Sequence, residues 1–228
     1  MNPIDRTLYP LRRTKSLRGA LAAILLVASS ALPPPVLANT YEDFNRALAT
    51  DDVMTLGKLL ARGMDPNTAN EKGELALMSA ARESSPAVVK ALLSAHAKVN
   101  IKNTFGDTPI MLAALRGNVE IVKLLRQAGA EINSQGWTPL QYAALNGHNA
   151  VIEYLLLSGA DLGLIAPNGA SPVMLAVIGK KAETVKVLIA NGFDVNVRND
   201  KGETALMLAK RQQSEEMETL LRQAGARQ

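Results

Sequence analysis

The chain has 228 residues, with 25 Lys+Arg against 21 Asp+Glu, a formal net charge of +4, two His, no Cys and 4% aromatic residues. Without cysteine there is no disulfide framework, no thiol nucleophile and no lipid-modified N-terminal Cys. The charge excess lies in the first 38 residues, which hold five basic residues and only Asp5; the rest is balanced, and so lacks the basic face by which nucleic-acid binders displace counterions.

Arg6, Arg12, Arg13, Lys15 and Arg18 open the chain, an apolar run follows from Ala20 to Leu32, and Pro33-Pro34-Pro35 ends it. Val36-Leu37-Ala38 then places small residues ahead of Asn39. This layout predicts a secretory signal peptide over residues 1–38, cut after Ala38, and a periplasmic or secreted mature protein with no stable membrane anchor. The run is shorter than the roughly 20 apolar residues that span a bilayer, which disfavours an uncleaved anchor. Arg12-Arg13 is followed by Thr14-Lys15 rather than by apolar residues, which favours the general secretory route over twin-arginine export.

From Tyr41 onward the chain repeats. Pro66-Asn67, Val99-Asn100, Ile132-Asn133, Leu162-Gly163 and Val195-Asn196 recur at steps of 33, 33, 30 and 33 residues, and Gly63, His96, Gly129, Gly159, Gly192 and Gly225 keep the same beat. A period of that length marks one supersecondary unit copied along a solenoid, whose units bury their apolar faces only by stacking. Six units are predicted, over 41–70, 71–104, 105–135, 136–168, 169–201 and 202–228.

Each unit reads the same way. Thr108-Pro109, Thr138-Pro139 and Ser171-Pro172 set a capping hydroxyl before a proline at the first helical position, while Thr204-Ala205 keeps the cap alone. A short first helix with small residues such as Ala113-Ala114 and Ala143-Ala144 ends at Gly117 or Gly147. A second helix carries apolar residues at helical spacing, as in Val119, Ile121, Val122, Leu124 and Leu125, or Val151, Ile152, Leu155 and Leu156. Gly129, Gly159 and Gly192 suit a left-handed helix terminus, where His96 carries some strain. A turn-rich stretch such as Asp194–Gly202 predicts a projecting hairpin finger. Polar residues on the first helix (Glu42, Asp43, Asn45, Arg46) and near the end (Lys210, Arg211, Gln212, Gln213, Glu215, Glu216) suit wet solenoid caps.

These motifs, T-P-x-x-x-A-A, an apolar second helix and G-A-x-x-N, resemble the ankyrin repeat over nearly all of Tyr41 to Ala226. The resemblance implies an all-α ankyrin-repeat solenoid of helix-turn-helix units with projecting fingers, a concave face built from fingers and first helices, and a monomeric module that binds a protein without chemistry or cofactor of its own. Where the family usually has the His of T-P-L-H, thought to hydrogen-bond the finger backbone, this chain has Met78, Met111, Gln141, Met174 and Met207, a variant similar to bacterial ankyrin repeats. Methionine fills space without making such bonds, so looser fingers are expected. The row is not a copper site, because consecutive units stack roughly 10 Å apart and one ion could not bridge two of them.

The family's variable positions imply partner contacts at Lys102, Thr104, Phe105, Asp107, Leu115 and Arg116 in the third unit, Trp137, Leu145 and Asn146 in the fourth, and Ile165, Asn168, Ala170 and Ile178 in the fifth. Trp137 is the only tryptophan, and large aromatics are common interface anchors; the alternative is that Trp137 and Phe105 cover the core beneath a finger. Tyr142 reads as half-buried packing in register with Leu112, Leu175 and Leu208. The 30-residue step leaves only Ser134 and Gln135 between Asn133 and Gly136, a shortened finger expected to open a notch beside Trp137.

No catalytic constellation stands out. His96 and His148 lie in different units as a helix terminus and a loop residue, no H-E-x-x-H pair or phosphate loop occurs, and no metal ligand set is predicted. Two functions fit: an interaction module that scaffolds, inhibits or protects an exported partner, and an accessory factor that supports maturation or protection of an exported redox or cofactor-bearing enzyme.

Overall fold

The computed structural model describes residues 35–70, 73–83 and 85–227. The leader expected over 1–38 lies outside them except for its last four residues, which begin a helix, so that the cut expected after Ala38 falls in that helix's first turn. Among the described residues no helix is long and apolar enough to cross a membrane.

Twelve helices form six consecutive pairs among the described residues. They are α1 (Pro35–Ala49) with α2 (Val53–Ala61), α3 (Ala76–Glu83) with α4 (Pro86–Ser94), and α5 (Pro109–Arg116) with α6 (Val119–Gln127). Then follow α7 (Pro139–Asn146) with α8 (Asn149–Leu157), α9 (Pro172–Ile178) with α10 (Ala182–Ala190), and α11 (Ala205–Arg211) with α12 (Glu215–Gln223). First helices pack on first helices and second on second, giving two layers around one continuous core. α8 and α10 are joined by the Thr184 hydroxyl, which donates to Asn149 Oδ1 at 2.7 Å.

The predicted punctuation sets these helices. Thr138, Ser171 and Thr204 accept from the backbone N–H of Gln141, Met174 and Met207, each at 3.3 Å. At Thr108 the backbone N–H is met instead by Met111 Sδ at 3.4 Å. Asn118 Oδ1 caps α6 through the Ile121 N–H at 3.0 Å. Gly117 and Gly147 end α5 and α7 at φ 77° and 84°, and His96 holds the left-handed conformation at φ 63° without the glycine that makes it easy. First and second helices share the largest fully buried side chains, Phe44, Leu77, Ile110 and Met174 from the first and Leu92, Ile121, Leu125, Ile152 and Leu155 from the second.

Neighbouring units are also stapled by a device the recurring Val-Asn pairs encode. Asn100 donates its Nδ2–H to Gly129 O (3.1 Å) and accepts from the Glu131 N–H (3.0 Å), so one side chain clasps the helix terminus of the next unit. Asn133 does the same to Gly159 O and Asp161 N, and Asn196 to Gly225 O and Arg227 N. Asn67 makes the half that reaches Lys98 N, at 2.8 Å. Gly163 stands in the corresponding place between units four and five and has no side chain with which to clasp them. At the other, N-terminal ends of α8 and α10 the bond between Thr184 and Asn149 lies beside a cleft of about 360 Å³ lined by Gly147, Asn149, Lys181 and Thr184 among others.

The fingers carry no strand ladder: among the described residues the only bridge outside helices is Ala69 with Leu75. Full-length fingers close instead by tight turns, with Gly106 N–H donating to Asn103 O and Asn103 N–H to Asp107 O. Asn70 to Glu74, Ala166 to Ala170 and Asn199 to Glu203 repeat the pattern. These bonds are internal to each finger and do not depend on the residue in the family's His position. Gln141, at that position in unit four, does supply the expected bond, from Nε2 to Leu164 O at 3.2 Å, while its Oε1 accepts from the Thr138 N–H at 3.0 Å. The methionine row is therefore interrupted by a residue that behaves as the family's histidine is taken to.

Candidate partner-binding surface

The first helices and the fingers share one face, and the repeat register fixes which side chains line it. Counting seven residues on from each cap places Arg82, Leu115, Leu145, Ile178 and Arg211 in one row. The three central members are apolar and half-buried, packed against the edge of the core. Both outer members are cations tied to the acid at the base of their own finger: Arg82 Nη2 lies 2.6 Å from Glu74 Oε2, and Arg211 pairs with Glu203. The row thus has an apolar middle closed at each end by an ion pair. Sequence reading found its apolar members as first-helix ends but missed the flanking pairs, whose signal is the eight-residue step from finger acid to helix-end arginine.

The fingers add apolar surface beside this row. Phe105, at the turn of its finger, is 78% exposed, and Ile165 on the next full-length finger is 48% exposed. The shortened finger lies between them. Lys102, Thr104 and Arg116 are exposed as expected, and Arg116 also anchors its unit by donating from Nε to Arg82 O at 3.1 Å.

Other expected contact residues are occupied in holding the fold. Asp107 is buried: its Oδ1 accepts from the Tyr142 hydroxyl at 2.5 Å and its Oδ2 from Asn103 Nδ2 at 3.2 Å. It is a strut between units three and four, not a group presented to a partner. Tyr142 itself is 3% exposed, deeper than the half-buried place expected for it, because its hydroxyl has this carboxylate to satisfy it. Trp137 is half-buried and stacks on Tyr142 with ring centroids 5.2 Å apart, so it covers the core edge more than it projects. Asn146 donates to Tyr142 O within its own helix, Asn168 O accepts from the Asp200 N–H of the next finger, and Ala170 is fully buried.

The carbonyls at the ends of the first helices are met in turn by the following unit. Arg116 reaches Arg82 O, His148 Nε2 lies 3.0 Å from Leu115 O, and Gln212 Nε2 lies 3.5 Å from Ile178 O. Partial burial holds the His148 imidazole below its usual range; Lys181 adds to this and the bond to Leu115 O opposes it. A carbonyl only accepts, so Nε2 is the protonated nitrogen of the neutral ring. His148 thus brackets two units, and no group of three or more His, Cys, Asp or Glu able to hold a metal occurs among the described residues.

Stacked helix pairs, internally closed fingers and a continuous half-apolar face define a helical-repeat protein built for contact with other macromolecules. The family model for ankyrin repeats (3 copies) matches residues 77–166 and 152–228, more than half of the chain. The chain belongs to the ankyrin repeat family, whose members are protein–protein interaction modules. No curated protein matches it.

Proposed function

We propose that this ankyrin module binds a protein partner through the first-helix face of units three to five, and that it does so after export, as a scaffold, inhibitor or protective partner in the periplasm or outside the cell. The observation that carries the binding reading is the solvent-facing apolar pair Phe105 and Ile165, set on the fingers on either side of the shortened one, with the half-buried Leu115, Leu145 and Ile178 at the ends of the first helices that follow. Large apolar side chains at the centre of a surface, ringed by polar ones, are what anchors an interface. Export rests on the basic start, the apolar run and the small residues before Asn39.

Two measurements test this. Capture from an extract of the host with wild type and with Phe105→Ser/Ile165→Ser should lose one stoichiometric protein with the variant while its melting temperature stays unchanged. Retention of every partner at unchanged affinity rules this face out. The export reading expects a processed chain beginning at Asn39 outside the cytoplasm; a full-length chain confined to the cytosol rules it out.

A further inference from the structure

Charge is distributed unevenly along the repeat unit. The second halves of the fingers, the first helices and the turns that follow them in units three to five, residues 101–118, 134–149 and 164–181, contain Lys102, Arg116, Lys180 and Lys181 and a single acid, Asp107. Asp107 is buried beneath the Tyr142 hydroxyl and presents no charge to solvent. None of the four cations has an ion-pair partner among the described residues. The second helices of the same units carry both signs equally, Glu120, Glu153 and Glu183 with Lys123, Arg126 and Lys186. Residues 39–228 are neutral overall, and the acids that offset these cations, among them Glu131, Asp161 and Asp194, lie outside the three stretches.

Resting on the binding reading above, we propose that the occupant of this face is an acidic amphipathic α-helix of the partner, laid along the solenoid with its apolar stripe on Leu115, Leu145 and Ile178 and its acidic flank toward Arg116 and Lys180. Units repeat at a helix-packing distance of roughly 10 Å. Seven residues of α-helix advance about 10.5 Å, so residues i, i+7 and i+14 of one helix come into step with three successive units. An added β-strand is disfavoured because it needs an open sheet edge, and the fingers have only an isolated bridge between Ala69 and Leu75 among the described residues. A polyproline segment is disfavoured because it seats in an aromatic-lined groove, and here the one Trp is already stacked on Tyr142. The ion pairs Glu74–Arg82 and Glu203–Arg211 close the row at each end, which limits the occupant's apolar stripe to about three heptad positions.

The test uses the array from Asn39 onward and three labelled 18-residue peptides: a helical one with Leu at heptad spacing and Glu on one flank, the same peptide with Lys on that flank, and the Glu peptide interrupted by two prolines. Fluorescence anisotropy should find the Glu helix bound at least 10-fold tighter than either other peptide, with affinity falling as salt is raised. Arg116→Glu/Lys180→Glu should lose at least 10-fold for the Glu helix and gain for the Lys helix, and Leu145→Glu should abolish binding, with thermal melts confirming that each variant is folded. Equal binding of the Lys helix or of the proline peptide overturns the proposal, as does failure of the Glu helix to bind. If the Glu helix fails while Phe105→Ser/Ile165→Ser still releases the natural partner, the face is correct and the acidic helix is not its occupant; if that variant also retains the partner, the binding reading itself fails.

Discussion

The Tyr142 hydroxyl donates to Asp107 Oδ1 across 2.5 Å, joining the first helix of unit four to the finger base of unit three through two buried groups 35 residues apart. The bond takes the place of a cation: in units two and six the finger acid pairs with the arginine eight residues on, whereas in unit three that position is Leu115. Tyr142→Phe keeps the ring on Trp137 and leaves the carboxylate to Asn103 alone. It should cost about 1–3 kcal/mol, the range for a buried group deprived of its partner. A loss below about 0.5 kcal/mol in urea unfolding would show that the strut contributes nothing to stability.

Gly163→Asn should stabilise the array. The backbone there already matches the stapled units: Gly163 N–H donates to Asp161 Oδ1 at 2.8 Å, as Asn67 and Asn196 donate to Asp65 and Asp194 at 2.8 Å. No positive φ stands in the way. A side chain at this position would clasp Gly192 O and Asp194 N across the one central seam that lacks the asparagine staple. The expected gain is about 1 kcal/mol from added hydrogen bonds and a less free unfolded chain. Amide exchange in α10 and the fifth finger should slow relative to wild type; unchanged exchange there means the seam does not open on its own.

The fold was legible because its causes are local and periodic. Caps such as Thr138-Pro139, left-handed glycines such as Gly129 and the apolar spacing of Val119 to Leu125 each predict one feature, and a 33-residue beat puts them in register. The site was less legible because surface positions are defined by what lies across from them. Nothing adjacent to Asp107 in sequence announces Tyr142, and Trp137 and Phe105 look alike as aromatics on neighbouring fingers. One stacks on a ring five residues on, and the other stands 78% exposed at its turn. Gln141 read as one more departure from the family's histidine, yet its amide reaches the same kind of finger carbonyl.

Gly179 is needed for contact rather than for a turn. Its φ is not positive, but a Cβ there would fall 1.9 Å from Leu145 O, at the position where other units place a donor side chain against the preceding carbonyl. Gly179→Ala must push α9 away from α7 and should cost about 1–3 kcal/mol as overpacking. Gly57→Ala on α2 is the control: a Cβ meets nothing within 4 Å there, and the helix should gain about 0.5–1 kcal/mol. Equal effects at the two sites would contradict the close approach.

His148 predicts a pH dependence with a definite sign. Its folded-state pKa lies below the ordinary value of 6.5, chiefly through desolvation, so the native state binds the proton less well than the unfolded chain does. Stability from the neutral ring is full above 6.5 and falls as pH drops through the lower folded value. Asp52 and Asp65 are also lowered, from 3.8, by hydrogen bonds to Thr55 and Asn67, and their contribution is lost only below that value. Melting temperature should therefore drop between about pH 7.5 and pH 5 in wild type and stay flatter over that range in His148→Gln. A wild-type curve that is level there would show that the ring is solvated in both states.

Asn45 occupies in unit one the register position of Met78, Met111, Gln141, Met174 and Met207, and both its amide atoms are buried without a partner. The reason is reach. Gln141 extends to Leu164 O, whereas Asn45 is one methylene shorter, and the corresponding carbonyl, Thr68 O, already accepts from the Ala76 N–H at 3.0 Å. Asn45→Met removes the orphaned amide and installs the residue that four other units use, so it should stabilise the first unit by about 1–3 kcal/mol, the cost of an unsatisfied buried polar group. Asn45→Gln separates polarity from size: if reach is the defect, Gln recovers part of the gain through Thr68 O. Amide exchange in α1 and α2 reads the effect unit by unit, which matters in an array whose ends can open separately. Faster exchange in both variants would mean that the asparagine amide is better satisfied in solution than its buried, unpartnered atoms imply.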